Sequence, residues 1–372
     1  MSGTAEGTSA ADVVVAGHIC LDLIPRIATT PQGGGVLPAP GRLVQVGPVT
    51  CATGGAVANT GLALHRLGVP VRLVARVGDD AFGGIVRGIV ERHAARLAAD
   101  LVTDTGSATS YSIVISPPGS DRSFLHHPGA NDAFGADDVT DAHLRGARLL
   151  HFGYPPVMAR FMADDGAELV RLLARARQRG LTTSLDMAMP DADAESGRVD
   201  WPALLRAVLP LVDAFVPSFD ELGFMLRPAL GDLRDAPDAD AARRMAAWCL
   251  DAGCAMVMLK RGERGVLLRT TADAARLRGA RLPVDSAAWT GREVATPAYE
   301  TRVAGATGAG DCAVAGFLCE LLHGGTPESA ADFAAAVGAL NVEQPDATSG
   351  IPARETVRQR VAAGWTRRHV AE

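Results

Sequence analysis

Apolar and polar positions follow two different periods along this chain. The opening of "DVVVAGHICLDLIPRI" (12–27) is almost continuously apolar, which predicts a buried strand, a turn at Gly17 and further strand-like residues. A Pro/Gly-rich connection, "ATTPQGGGVLPAPG", follows, and "RLVQVGPVTCATGG" resumes strand-like alternation. "AVANTGLALHRLG" has helical spacing and ends at Gly68, a natural C-cap position. "VRLVARVG" predicts a strand, and "DDAFGGIVRGIVERHAA" a helix opened by two acids. Residues 108–127, "ATSYSIVISPPGSDRSFLHH", predict a hairpin turning at Pro117-Pro118-Gly119.

Beyond the hairpin the pattern turns regular. Strands at "ARLLHFG", "LTTSLDM" and "DAFVPS" alternate with helices at 162–179, 201–209 and 240–252. "AMVMLKRGERGVLLR" predicts a strand pair, and the chain closes on one helix after 308 and another from about 328 to 342. Such alternation predicts an α/β fold with a mainly parallel sheet covered on both faces. The β-rich stretches at 19–53 and 108–127 fall outside it and are read together as a small lid. A flexible tail, residues 1–11, is expected to precede one α/β domain spanning 12–372.

Composition narrows the function classes. Hydrophobic content of 48% with 21% charged residues describes a globular protein with ample core. A net charge of −6 leaves no footprint for nucleic acid or an anionic membrane surface. No uncharged apolar run reaches the length of a membrane span. Six cysteines without a CxxC read as reduced thiols, hence a cytoplasmic protein, and the N-terminus has neither the basic nor the apolar region of a signal peptide. The basic residues are arginines throughout, with Lys260 the only lysine.

The most informative stretch is "VAGATGAGDCAVAGFL" (303–318). Gly308, Ala309 and Gly310 let backbone N–H groups approach a ligand closely, and the apolar spacing behind them predicts a helix. A helix that begins there presents unpaired N–H groups and a positive dipole end, which makes an anion site. Asp311 at its mouth repels an anion unless it has chemistry to perform. "GAGDCA" also matches a dinucleotide fingerprint, but the helix leads through "HGGTPES" into a second helix, so no βαβ unit closes. The sole lysine is followed by Arg261, which excludes a Walker P-loop. Protein-kinase, zinc-protease and G-x-S-x-G hydrolase signatures are absent. His126-His127 invites a metal reading, yet neighbours on a strand point to opposite faces, so lid surface is the preferred one.

Near the N-terminus Asp22 follows the Gly17 turn, and "TGGAVANTG" places Gly54, Gly55 and Asn59 at a helix start. An Asp and an Asn at strand ends suit a polyhydroxylated ligand, since the carboxylate accepts and the amide both donates and accepts. The plainer reading, a surface acid beside a simple turn, stands next to it.

These segments resemble the ribokinase (PfkB) family of carbohydrate kinases from about Val13 to Pro352. "GHICLD", "GGAVANTGLALHRLG", "RVGDDAFG", "SFLHHPGAN", "PSFDEL", "LKRGERGVLL" and "GATGAGDCAVAGFL" stand in family order, the last being the most specific. The resemblance implies a ribokinase-like three-layer sandwich with a β lid, moving the γ-phosphate of ATP to a hydroxyl of a sugar or sugar-like polyol. It implies Asp311 as general base, with Gly308, Ala309 and Gly310 as the anion hole. Asp22, Gly54, Gly55 and Asn59 would hold the sugar, while Ser218, Lys260, Gly262 and Gly265 would line the nucleotide; a surface charge at a strand end is the other reading of Lys260. Glu221 would organise Mg²⁺.

The chain departs from the family at Ser218, where Asn is usual, and at Gly305-Ala306, where Asp-Thr is usual. The second departure leaves K⁺ activation open. A nucleoside kinase of the same family and a non-catalytic sugar-binding relative are the alternatives. A nucleoside acceptor would favour stacking platforms, of which 5% aromatic residues offer no clear sign. Arg26, Arg42 and Arg122 could serve a sugar phosphate. Family lids often pair between subunits, which makes a homodimer through the lid an expectation.

Overall fold

The computed structural model describes residues 11–28, 40–41, 43–118, 122–233, 238–279, 283–344 and 346–369. Residues 1–10 of the tail expected at 1–11, the connection at 29–39, Arg42 and Gly119 lie outside them, while Ala11 is described and buried.

Strands are numbered in chain order: β1 Val13–Gly17, β2 Cys20–Pro25, β3 Val49–Gly54, β4 Val71–Gly78, β5 Leu101–Asp104, β6 Tyr111–Ile115 and β7 Ser123–His127. There follow β8 Leu149–Gly153, β9 Thr182–Asp186, β10 Ala214–Phe215, β11 Met256–Lys260, β12 Val266–Thr270 and β13 Glu293–Thr296. Nine form one sheet in the order β13-β12-β11-β10-β9-β8-β1-β4-β5, parallel from β11 to β5, with β12 antiparallel to both its neighbours.

The apolar runs explain this sheet. Val13 and Val15 of β1 enter one core while Val14 and Ala16 enter the other, and on β11 Met256 and Met258 oppose Val257 and Leu259 in the same way. A strand buried on both faces has no polar face to show, so its sequence reads as continuous rather than alternating. Helices Ala56–Arg66, Ala81–His93, Ala309–Leu322 and Pro327–Asn341 cover the first face. Helices Ala167–Gln178, Trp201–Val208, Phe219–Leu230 and Ala239–Asp251 cover the second. The result is the expected three-layer α/β sandwich.

The remaining strands form the small sheet, β3-β2-β6-β7, with β2 antiparallel to β3 and parallel to β6. Both predicted lid stretches therefore join one sheet, although residues 43–48 carry no strand and pairing begins at Val49.

Two elements are shorter than the sequence suggests. The helix expected from 162 begins at Ala167, because Asp164, Asp165 and Gly166 all take positive φ and break it. "DAFVPS" contributes only Ala214-Phe215 to the sheet.

Candidate active site

The parallel strands point their carboxyl ends toward one side of the sheet, and a cleft of about 930 Å³ opens there beneath the lid. Sequence order reverses at β1, whose neighbours are β4 and β8, which is where crevices open in sheets of this kind. The predicted catalytic, sugar, nucleotide and metal residues all line this cleft except Gly54; of the three arginines, Arg122 lines it, Arg26 does not, and Arg42 lies outside the described residues. Gly54 acts by lacking a side chain: a Cβ there would lie 2.5 Å from Asp22 Oδ2.

At the lid end, residues on one face of the small sheet form a row. Asp22, Ser112 and His126 sit opposite one another on β2, β6 and β7, with their neighbours Cys20 and Phe124 on the same side. Ser112 Oγ lies 3.0 Å from His126 Nδ1, and the Cys20 thiol donates to Asp22 Oδ1 at 3.4 Å. Burial pushes the Asp22 carboxyl up to about 6, against the hydrogen bonds of Cys20 and Ser112. His18 meets His126 at 3.4 Å between their Nε2 atoms, and burial holds both imidazoles below their ordinary pKa. His126 is exposed on the lid sheet, as expected, and the face it occupies lines the cleft. The alternation argument holds, since its neighbour His127 packs against Tyr111 instead.

Two supports aim this row. Asn131 is fully buried and clamps the chain between β1 and β2, accepting from Ile19 N–H at 3.2 Å and donating to Ile19 C=O at 2.9 Å. Gly55 caps the helix Ala56–Arg66 at φ 87, a conformation open to glycine, and a Cβ there would strike His18.

Asp311 lies in the first turn of the helix Ala309–Leu322, whose N-cap is Gly308 at φ 75 with no side-chain capping bond. That helix therefore points free N–H groups and its positive end into the cleft. The Asp311 carboxylate is held from three sides. Tyr154 OH reaches both oxygens at 2.8 and 2.9 Å, Asn59 Nδ2 donates at 3.0 Å, and Thr60 Oγ1 stands 3.4 Å away. Asn59 thus turns its amide to Asp311 rather than to Asp22, while its Oδ1 is buried without a hydrogen-bond partner.

Lys260, at the end of β11, is buried, which overturns the surface-charge reading. Its ammonium bonds Asp186 Oδ1 and Oδ2 at 2.7 and 2.8 Å. A Cβ on Gly310 would lie 3.6 Å from Lys260 Nζ, which places this cation against the same helix start. Burial opposes the ammonium's charge, but Asp186, Glu221 and Asp311 outweigh it and raise its pKa. Burial likewise raises the Asp186 and Glu221 carboxyls, with Lys260 pulling the other way. Behind them His151 is pushed down to about 3 by burial and by Lys260, so it stays neutral.

Ser218 and Glu221 form a reciprocal capping box: Glu221 N–H donates to Ser218 Oγ at 3.2 Å, and Ser218 N–H to Glu221 Oε2 at 2.7 Å. The serine that replaces the family's usual Asn thus serves as a helix cap. Among the described residues no three His, Cys, Asp or Glu side chains stand together as a metal cage. Glu221 and Asp186 do offer hard oxygens whose charge burial disfavours, which suits a Mg²⁺ ion that keeps most of its waters.

Sequence reasoning missed Asp186, Tyr154 and the partnership of His18 with His126. The first two stand at or just past the carboxyl ends of β9 and β8, a position that marks ligand contacts once strand order is known.

Comparison with known proteins identifies the family. Residues 10–354 match the pfkB family carbohydrate kinase. A 5-dehydro-2-deoxygluconokinase of Photobacterium profundum is 23% identical over 93% of this chain and 93% of its own. An ATP-dependent ribose-1-phosphate kinase of Halopiger xanaduensis is 24% identical over 91% of this chain and 94% of its own. The structure of Arabidopsis thaliana ribokinase complexed with ribose and ATP superposes with a TM-score of 0.70 at 19% identity, covering 94% of this chain and 98% of that one. The chain belongs to the pfkB family of carbohydrate kinases.

Proposed function

We propose that the cleft moves the γ-phosphate of ATP to a hydroxyl of a sugar or sugar-like polyol, with Asp311 as general base. The observation that carries this reading is the placement of the Asp311 carboxylate, fixed by Tyr154, Asn59 and Thr60 at the mouth of an uncapped helix start. The acceptor hydroxyl gives its proton to Asp311 as its oxygen bonds to the γ-phosphorus, and the bond from that phosphorus to the β-phosphate oxygen breaks to release ADP. Gly308, Ala309 and Gly310 supply N–H groups, and Lys260 a positive charge, to the oxygens that gain charge in transit. Asp22, Gly54, Gly55 and Asn59 form the acceptor pocket; the unpartnered Asn59 Oδ1 suits a donating hydroxyl. Ser218, Gly262 and Gly265 line the nucleotide. Glu221, with Asp186, would hold Mg²⁺ through its water shell, which neutralises phosphate charge when bound.

One observation favours a second reading, a nucleoside acceptor. Flat side chains line the lid end of the cleft, where Phe124, 51% exposed, stands with His18, His126 and Tyr154. Flat side chains of this kind stack on bases. A coupled ADP-release assay with Mg-ATP over sugars, sugar phosphates and nucleosides separates the two. Turnover with a sugar or polyol supports the first reading, turnover with nucleosides alone supports the second, and no acceptor-dependent release overturns both.

A further inference from the structure

The family match stops at residue 354, whereas described residues continue to 369. After the helix Arg354–Ala362 the chain turns and lies along the segment that leaves β13. Glu300 N–H donates to Thr366 C=O at 2.9 Å, and Arg368 N–H to Ala298 C=O at 2.8 Å. Trp365 Nε1 donates to Glu300 C=O at 2.7 Å. The Trp365 ring stacks on Tyr299 at 4.4 Å, and the guanidinium groups of Arg360 and Arg367 cover Trp365 and Tyr299 at 3.7 and 4.2 Å. Asp332, on the helix Pro327–Asn341, accepts from both Tyr299 OH and Arg367. A segment with this many partners is a built wall, not a fraying end.

That wall meets the cleft. The turn at Gly265 packs so closely against the segment after β13 that a Cβ there would lie 2.0 Å from Thr296 O. The tail bonds the same segment at Ala298. Arg368 then reaches back across to Glu263, 3.2 Å away, and both residues line the cleft. Facing them, Ala335, Gly338 and Ala339 of the helix Pro327–Asn341 leave a slot with small walls. The Arg368–Glu263 pair is largely exposed and contributes little by itself, so the guanidinium is easily released to a ligand. A planar fork of donors suits the phosphates, ribose hydroxyls and ring acceptors of a nucleotide.

We propose that residues 365–368 complete the nucleotide-binding end of the cleft, with Arg368 a contact for the nucleoside triphosphate. The proposal rests on the assignment of the Lys260–Gly265 side to ATP. It is tested with the full chain, Arg368→Ala, Arg368→Lys and a chain ending at Gly364, each assayed for ATP binding by calorimetry and for KM of ATP and of the acceptor. The expected result is an ATP KM raised on the order of tenfold by truncation and about threefold by Arg368→Ala, partial recovery in Arg368→Lys, and an unchanged acceptor KM. If truncation lowers the melting temperature sharply, the Arg368 variants alone decide. ATP constants within about twofold of the full chain in those variants, or an acceptor KM that rises in parallel, overturn the proposal. A full chain that binds no ATP overturns the underlying nucleotide assignment instead.

Discussion

Asp22 and Asp311 line the same cleft and are equally hidden, at 5% and 3% exposure, yet their surroundings differ. Asp311 is gripped by a phenol, an amide and a hydroxyl, and it faces a helix start and a lysine. Asp22 has a thiol at 3.4 Å and a serine that is shared with His126. Burial alone therefore does not distinguish these two carboxylates. The donors around a carboxylate fix its direction, and a weakly partnered carboxylate keeps lone pairs for a ligand.

The comparison breaks most sharply at Asp311. Asp311→Ala should lower kcat by about 10²–10⁴ while ATP binding persists, as read by ADP release and calorimetry. Lys260→Met leaves Asp186 and Glu221 buried without their cation and should cost about 3–5 kcal/mol of stability, visible as a lower melting temperature. An unchanged melting temperature would mean that the pair holds nothing together. Tyr154→Phe removes the donor to both Asp311 oxygens and should reduce kcat about tenfold, with little change in acceptor KM.

The smallest effect lies at Asp22. Its carboxyl is raised from the ordinary 3.8 to about 6 by burial. If the ionised form binds hydroxyls, kcat/KM for the acceptor should climb as pH rises through about 6 and level off above it, and Asp22→Asn should flatten the profile. The same shift has a sign for stability. The folded protein holds this proton more tightly than the unfolded chain, so stability falls as pH rises between 3.8 and about 6, and the asparagine variant escapes that loss.

Much of this was legible in the residues. Apolar runs of strand length marked β1, β4, β8, β9 and β11, and the glycine-rich segments marked both helix starts of the site. The edge strands Leu101–Asp104 and Glu293–Thr296 were not read, being four residues long and half polar. Nor was the helix Phe219–Leu230, which carries Gly223 and Pro228 inside it.

The site's hidden members share one cause. Asp186 and Tyr154 are an ordinary acid and phenol until strand order sets β8 beside β1 and β9 beside β8, with Tyr154 bonded to Asp311 and Asp186 to Lys260. His126 is lid surface as read, but periodicity says which residues share a face and not which face meets the cleft. Lys260 stood out as the single lysine and, through the resemblance, as a nucleotide-lining residue; its burial follows from where β11 ends.

The most direct test of the account is a single-turnover measurement of phosphoryl transfer with Asp311→Asn beside the unaltered enzyme, using the best acceptor from the panel and saturating Mg-ATP. The account predicts that the variant binds nucleotide and acceptor as before while transfer slows by about 10²–10⁴. Transfer at the unaltered rate with both ligands bound would show that Asp311 is not the base.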